Sequence, residues 1–467
     1  MSATIEKFAG VALVVALLAP TPLLAQNLRG LPMGAHSAAL GQAGVAGDAD
    51  DGSAYLNPAA LASLTEDRVS LSTTVFSRGY YDIELAGYLP GWTERDRALT
   101  LADAVYAPTS FSYGRAWGKA VRTAAALSFI VPVYESFSVN QQNAYDDPQS
   151  DRYTLTGFSR RNTFKRLLFG PSIALGVPRL GLRFGASFFF AVSEMSWHSL
   201  LAWSLNSPTS GLSQMRYKEV HEFRRSVASS GVIGLQWSPL SALTLGLSAK
   251  GSLFRLSGSG TVRVVERELL DDNKGTIISE GDISAVDLPD PFELRFGLSY
   301  RVGSRFELRA DVLFTLFPSD PLIGNYQMTY SRFRAGVAPS TDATSWEQTM
   351  ATRNVVNVSL GAAIQLSERW ALNLGALTDR SSSADRDAVE GWLDRARWPQ
   401  QDRYFGTLGG SFRGKNLSLH AGIALGASVY RSNEFFSTGS DDQRAAPVLR
   451  LFFAGGFSPE NLIRSAF

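Results

Sequence analysis

Apolar and polar residues alternate one for one over long stretches of this chain. In FELRFGLSYR (292–301), Phe292, Leu294, Phe296, Leu298 and Tyr300 fall on one side of an extended backbone, and Glu293, Arg295, Gly297, Ser299 and Arg301 on the other. FELRADVLFT (306–315) repeats the pattern, with Leu308, Ala310, Val312 and Phe314 against Glu307, Arg309 and Asp311. NVSLGAAIQL (357–366) and NLSLHAGIALGASVY (416–430) do so again. A period of two belongs to a β-strand whose two faces meet different surroundings.

A soluble β-sandwich or solenoid also alternates, but three features favour a membrane barrel. Many strands reach the roughly 9–11 residues that cross a bilayer on a tilt. Their polar face is rich in Gly, Ser and charge, which suits a wet lumen. The connections alternate between short turns and long polar stretches. The turns are Gly118-Lys119, 178–180, 238–241, 302–304, 367–369 and Gly414-Lys415. The long stretches lie near 78–105, 134–165, 198–213, 266–283, 318–348, 380–402 and 433–446. Short turns at one rim and long loops at the other are the outer-membrane arrangement. Six turns and seven loops join about fourteen strands, the first at 68–77 and the last near 447–457, although the boundaries also admit twelve or sixteen. The expected fold is all-β, a transmembrane antiparallel β-barrel over residues 65–467.

Composition narrows the function. The 467 residues carry a net charge of +1, against the basic excess of a nucleic-acid binder. With no Cys, disulfides, thiolate zinc sites and cysteine nucleophiles are excluded together. The start, KFAGVALVVALLAPTPLLAQ, has Lys7, an apolar run over 8–18 and a small-residue end at Leu23-Leu24-Ala25. That layout predicts a secretory signal over residues 1–25, with Gln26 as the mature start; a buried helix or membrane anchor is the competing reading. No later apolar run approaches the roughly 20 residues of a membrane helix.

Residues 26–64 fit neither strand nor helix. Glycines 30, 34, 41, 44, 47 and 52 favour turns and close packing. Leu31, Met33, Leu40, Val45, Tyr55, Leu56, Leu61 and Leu64 are too apolar for a free tail. A compact N-terminal hatch plugging the lumen reconciles the two, with Pro58 in a turn and Asn57 extended before it.

MGAHSAALGQAGVAGDADDGSAYLNPAALASL (33–64) resembles the N-terminal hatch of the FadL/TodX family of outer-membrane long-chain fatty acid and hydrocarbon transporters, in which Asn-Pro-Ala follows a Gly/Ala-rich run. VRTAAALSFIVPVYESF (121–137), LPDPFELRFGLSYRVGSRFELRADVLFT (288–315) and VVNVSLGAAIQLSERWALNLGAL (355–377) resemble later family segments, so the similarity covers most of the mature chain. It implies a 14-stranded barrel closed on its periplasmic side by the hatch. Hydrophobic ligand would land on an extracellular groove, pass to a lumen site, and leave through a lateral gap opened by hatch movement. Asn57, Pro58 and Ala59 would be the hatch-motif residues. Phe467 fits the C-terminal aromatic expected of barrels recognised for outer-membrane assembly, although SPENLIRSAF lies beyond the last expected strand.

Other chemistry finds less support. DADDG (48–52) places Gly47 and Ala49 where a calcium loop needs its first two ligands, so an acidic turn is the better reading. His36, His198, His221 and His420 lack metal-ligand spacing, and nucleophile-elbow and phosphate-loop patterns are absent. A lumen serine meeting His420 would be the one route to a hydrolase. With 302–304 as the turn, Arg295 faces Asp311 across the hairpin, either within a salt-bridged lining or as a cation for a substrate carboxylate. MSWHSLLAWSLNSPTSGLSQM (195–215) is unusually apolar for an extracellular loop. Its Trp197, Leu200, Leu201, Trp203 and Leu205 form either a ligand-landing patch or an aromatic belt.

The expected protein is therefore not an enzyme but a monomeric channel in a Gram-negative outer membrane, surrounded by lipid and lipopolysaccharide. It would admit long-chain fatty acids or similar hydrophobic molecules passively, which needs no cofactor. The alternatives are a structural or assembly barrel partnering a secretion system, and an outer-membrane hydrolase.

Overall fold

A computed structural model describes residues 33–84, 98–102, 107–147, 152–207, 212–270, 273–318 except 287 and 289, 322–334, 337–349, 352–382, 402–415, 417–431 and 443–458. The expected signal segment, Gln26 and Phe467 lie outside these residues, as do most of the long connections near 380–402 and 433–446.

In chain order the strands are β1 (Arg68–Glu84), β2 (Ala98–Ala102), β3 (Ala107–Trp117), β4 (Arg122–Asp147), β5 (Arg152–Val177), β6 (Leu182–Ser207), β7 (Leu212–Leu240), β8 (Leu243–Lys250), β9 (Phe254–Leu270) and β10 (Asn273–Ser284). They continue with β11 (Phe292–Val302), β12 (Phe306–Leu316), β13 (Leu322–Arg334), β14 (Val337–Thr349), β15 (Val355–Gln365), β16 (Trp370–Asp379), β17 (Asp402–Arg413), β18 (Leu417–Arg431) and β19 (Gln443–Phe457). Fourteen of them, β1, β3–β8, β11, β12 and β15–β19, make a closed antiparallel ring, which β1 and β19 seal by pairing Val69 with Phe457. The other five raise the wall at one end. β2 pairs with the end of β1, and β9, β10, β13 and β14 continue outward from β7.

Burial runs opposite to that of a soluble sheet. Every ring strand turns a large apolar side chain outward, such as Leu71, Leu127, Ile173, Ile233, Phe296, Leu360, Leu408 and Phe453, all exposed. In β11 the buried members are Glu293, Arg295 and Ser299, while Phe292, Phe296 and Leu298 are exposed. An apolar outside around a polar inside is the transmembrane barrel pattern. Among the described residues no helix is long and apolar enough to span a membrane.

The fourteen-strand expectation holds, and the short turns lie at or beside their expected positions. Two expectations are corrected. The stretches 134–165, 198–213, 266–283 and 318–348 are largely strand, because β4–β7 run for 26 to 29 residues, far past any bilayer, and β9, β10, β13 and β14 extend the same wall. Beyond the membrane both faces meet water, so the sequence loses its alternation while backbone pairing continues. The hairpin after β11 also turns over residues 303–305, with Gly303 at φ 62° and Val302 paired to Phe306. Three-residue hairpin loops use a left-handed Gly in this way. Arg295 therefore stands opposite Leu313, and Asp311 opposite Gly297; the two-residue shift leaves both facing inward.

Candidate functional site: the occupied lumen and a seam in its wall

The N-terminal segment lies inside the ring. It comprises α1 (Ala35–Ala39), α2 (Ser53–Leu56) and a 3-10 turn (Pro58–Ser63), and its Met33, Leu40, Ala43, Ala59 and Ala60 are fully buried. Small residues let its backbone approach the wall, and the wall answers with cross-strand glycine pairs. Gly185 and Gly234 pair between β6 and β7, and a Cβ on either would strike Asn57–Ala59. Gly246 and Gly297 seat Val45 and Ala46, and Gly361 and Gly375 seat Leu40 and Gly41. Asn57 staples this packing together. Its Oδ1 accepts from Ala59 N at 3.1 Å, capping the 3-10 turn, and its Nδ2 donates to Val45 O at 2.7 Å and to Leu235 O of β7 at 3.1 Å. Asp311 accepts the N–H groups of Gly44 and Val45 at 2.7 and 2.9 Å.

A buried ionic chain joins this segment to the wall. Arg295 donates to the carbonyls of Tyr55 and Leu56 and, at 2.5 Å, to Glu293. Glu293 accepts from Lys250 at 2.8 Å, Lys250 bridges to Asp290 at 2.5 Å, and Asp290 pairs with Arg166 at 2.7 Å. The Arg295 guanidinium also lies 4.5 Å from the centre of the Tyr55 ring. All these side chains are buried, a setting in which removing one partner costs far more than the pair contributes.

Above the segment the lumen holds two apolar clusters. Met33, Tyr55 and Leu56 pack against Ile130, Leu168, Phe189 and Val232. Farther from the short turns, Val133, Phe164, Met195, Val262, Val286, Leu288, Tyr326 and Met328 form a second cluster. Beneath, at the short-turn rim, a cavity of 630 Å³ is lined by Arg68, Arg122, Arg183, Arg301, Arg305 and Arg309 among others.

The wall beside the second cluster is broken. Pairing between β8 and β11 ends at Lys250–Glu293 and resumes between β9 and β10 at Ser259–Ser284. On its other flank, pairing of this strand lapses between Phe292–Leu316 and Ser284–Asn325. The chain leaves the ladder after Ser284, at Ala285, a non-glycine at φ 52°, and Val286 and Leu288 are buried in the lumen cluster. Arg166 holds the segment there through Asp290 and the Leu288 carbonyl. β8 rises about 19 Å and β11 about 26 Å from the short turns at 3.3 Å per residue and a 45° tilt. The seam thus opens near the top of an apolar band about 25 Å tall.

The expected site residues divide between these features. Asn57, Pro58 and Ala59 sit together at the Gly185–Gly234 seat. Arg295 is buried, with its donors directed to Glu293 and the N-terminal segment. Trp197 and Leu200 belong to β6 rather than to a loop; Trp197 is buried and Leu200 only partly so. The side chains of Leu201, Trp203 and Leu205 lie outside the described residues. The DADDG carboxylates diverge: Asp48 meets Arg301 and Arg183, Asp50 meets Ser37 and Gly52, and Asp51 meets Ser110. His420 Nδ1 does lie 2.8 Å from Ser411 Oγ, which also accepts from Asn373. Among the described residues no carboxylate orients that imidazole, as a catalytic triad requires. Sequence reasoning missed Lys250, Asp290, Arg166 and the glycine pairs. The pairs were visible as a mid-strand apolar-Gly step in RFGAS, VIGLQ, TLGLS, RFGLS, SLGAA and NLGAL.

No family model matches the sequence, and no curated protein matches it. Solved structures do. A Pseudomonas aeruginosa FadL homologue aligns at TM-score 0.59 and 14% identity over 93% of this chain and 99% of its own. The P. putida toluene transporter TodX aligns at 0.60 and 14% over 92% and 99%. The fold is that of the FadL and TodX barrels. The Ralstonia pickettii toluene transporter TbuX has it too, at 0.54 and 16% over 92% and 99%. At these identities the shared property is the fold.

Proposed function

We propose that this protein is an outer-membrane channel for passive uptake of long-chain fatty acids or similar hydrophobic compounds. The observation that carries the reading is a pair of apolar lumen clusters that end on the packed N-terminal segment and meet a lipid-level seam in the wall. Residues 1–25 direct export, 26–64 act as the hatch with Asn57, Pro58 and Ala59 at its fixed point, and 65–467 form the channel. The apolar run that contains Trp197, Leu200, Leu201, Trp203 and Leu205 receives ligand.

Energetics favour a sideways exit. Below the plug a ligand would enter a vestibule lined by arginines, whereas the seam leads to acyl chains. Leaving into lipid rather than water is worth ~0.8 kcal/mol per methylene, or roughly 12 kcal/mol for a chain of about 15 methylenes. The ionic chain from Tyr55 through Arg295, Glu293, Lys250 and Asp290 to Arg166 links hatch and seam, so displacement of one disturbs the other. Lipid and lipopolysaccharide surround the barrel, which acts as a monomer.

Growth on oleate as sole carbon source, with and without the gene, tests the proposal. Loss of growth and of labelled-oleate uptake on deletion is expected. Unchanged uptake, together with a stable protein partner on pull-down, would instead support an assembly barrel.

A further inference from the structure

Well above the seam, β6 and β7 bring His198 and His221 directly opposite each other. Their parity is opposite to that of the buried Trp197 and Glu222, so both side chains stand on the outward face of the wall. Glu219, two residues before His221, shares that face. His221 lies 19 residues above the end of β7, about 45 Å from the short-turn rim at the rise and tilt used above. That places the group in the extracellular extension, clear of the bilayer.

The geometry points to a binding site for a borderline transition-metal dication of the Zn²⁺ type, formed by His198, Glu219 and His221. The imidazoles stack with centroids 4.2 Å apart, and their Nε2 atoms lie 3.3 and 2.7 Å from the same Glu219 Oε1. Donor atoms of a tetrahedral zinc, at bonds of about 2.0–2.1 Å, stand about 3.3 Å from one another, so the set needs only a small spread around the ion. Among the described residues this is the one group of three such donors within 4.8 Å of one another.

The surroundings match a metal centre in a further respect. Tyr217 donates to Glu219 Oε2 at 2.6 Å, fixing the carboxylate from behind and leaving Oε1 to the ion. The neighbouring cations are Arg161 beside His198, Arg263 beside His221 and Arg267 against the Tyr217 ring. Arg263 is paired with Glu280 at 2.8 Å, which leaves Arg161 as the opposing charge of the first row. Two imidazoles and one carboxylate select zinc, copper or nickel over calcium and magnesium, which prefer all-oxygen shells. Three protein ligands leave a fourth position open, and His198 and His221 also line a cavity of 1280 Å³ with Arg263, Glu280 and Asp282.

The test is zinc titration of the untagged, chelator-treated full chain in detergent, read by competition with a chromophoric chelator and by the visible spectrum of the Co²⁺ form. One ion per chain is expected, with millimolar Ca²⁺ and Mg²⁺ failing to displace it. His198→Ala with His221→Ala should weaken binding by about a hundredfold or more and remove the Co²⁺ bands, while His420→Gln leaves both unchanged. Glu219→Gln, with the barrel verified by circular dichroism, should weaken binding by at least about tenfold. No stoichiometric binding, binding that survives the double substitution, or displacement by Ca²⁺ would each overturn the assignment.

Discussion

Asn57 shows how much one side chain can hold in place. It is fully buried, and its amide satisfies a carbonyl of its own segment, a carbonyl of β7 and the first N–H of the 3-10 turn. Asn57→Ala removes all three bonds, although Val45 O keeps the Gln236 amide at 3.0 Å, and a loss of about 2–3 kcal/mol is expected. The chain has no Cys, so Ala60→Cys gives a clean reporter at a site with no exposure. Its reaction with a water-soluble maleimide should quicken roughly thirty- to a hundredfold in the Asn57→Ala background. Arg295 can be assigned by a second comparison. Arg295→Ala should lower uptake of a fatty acid and of a neutral hydrocarbon alike, because it unties the plug. If only the acid is affected, the guanidinium serves a substrate carboxylate instead. The sequence placed Arg295 on the inward face correctly, but its contacts depend on where Tyr55 and Leu56 come to rest.

At the scale of elements, the period of two located the strands wherever lipid faced one side and a filled lumen the other. It failed above the membrane: TLTGFSRRNTF (154–164) in β5 shows little alternation and still pairs throughout with β4 and β6. The glycine pairs show the same limit from the other side, since each is an ordinary small residue until its cross-strand partner and the plug are known. Gly185→Val should expel the Asn57–Ala59 turn, seen as rapid labelling of Cys introduced at Ala60, with strand content unchanged. Gly410→Val, which meets nothing within 4 Å, should leave the reporter slow. For the seam, Asp290→Asn removes the charge that Arg166 and Lys250 hold. That frees the segment from the two cations that pin it inside the wall, so uptake should fall several-fold. Glu280→Asn, at an exposed ion pair, serves as the comparison; equal effects of the two would argue against the seam as the exit.

For the whole molecule, the ring and its contents make separable predictions. Deleting residues 33–64 removes the plug but none of the ring's ladder pairs, so the barrel should insert and carry an ion current in planar bilayers that the intact chain does not. Silence of the deleted barrel, with its strand content intact, would mean that something other than this segment closes the lumen. The outward apolar side chains should also make the chain insoluble without detergent, since no soluble partner covers so large an apolar area.

The sequence alone determined the class of fold, the near count of strands, which side of each strand faces lipid, and that residues 33–64 belong to no strand. All of these follow from local rules of periodicity, turn chemistry and glycine content. Only the tertiary structure decided the register of the 303–305 hairpin, the path of the ionic chain, the glycine seats, the seam and the pairing of His198 with His221. Each of those joins residues far apart in the chain, and closure of the ring sets which strands become neighbours and at what height.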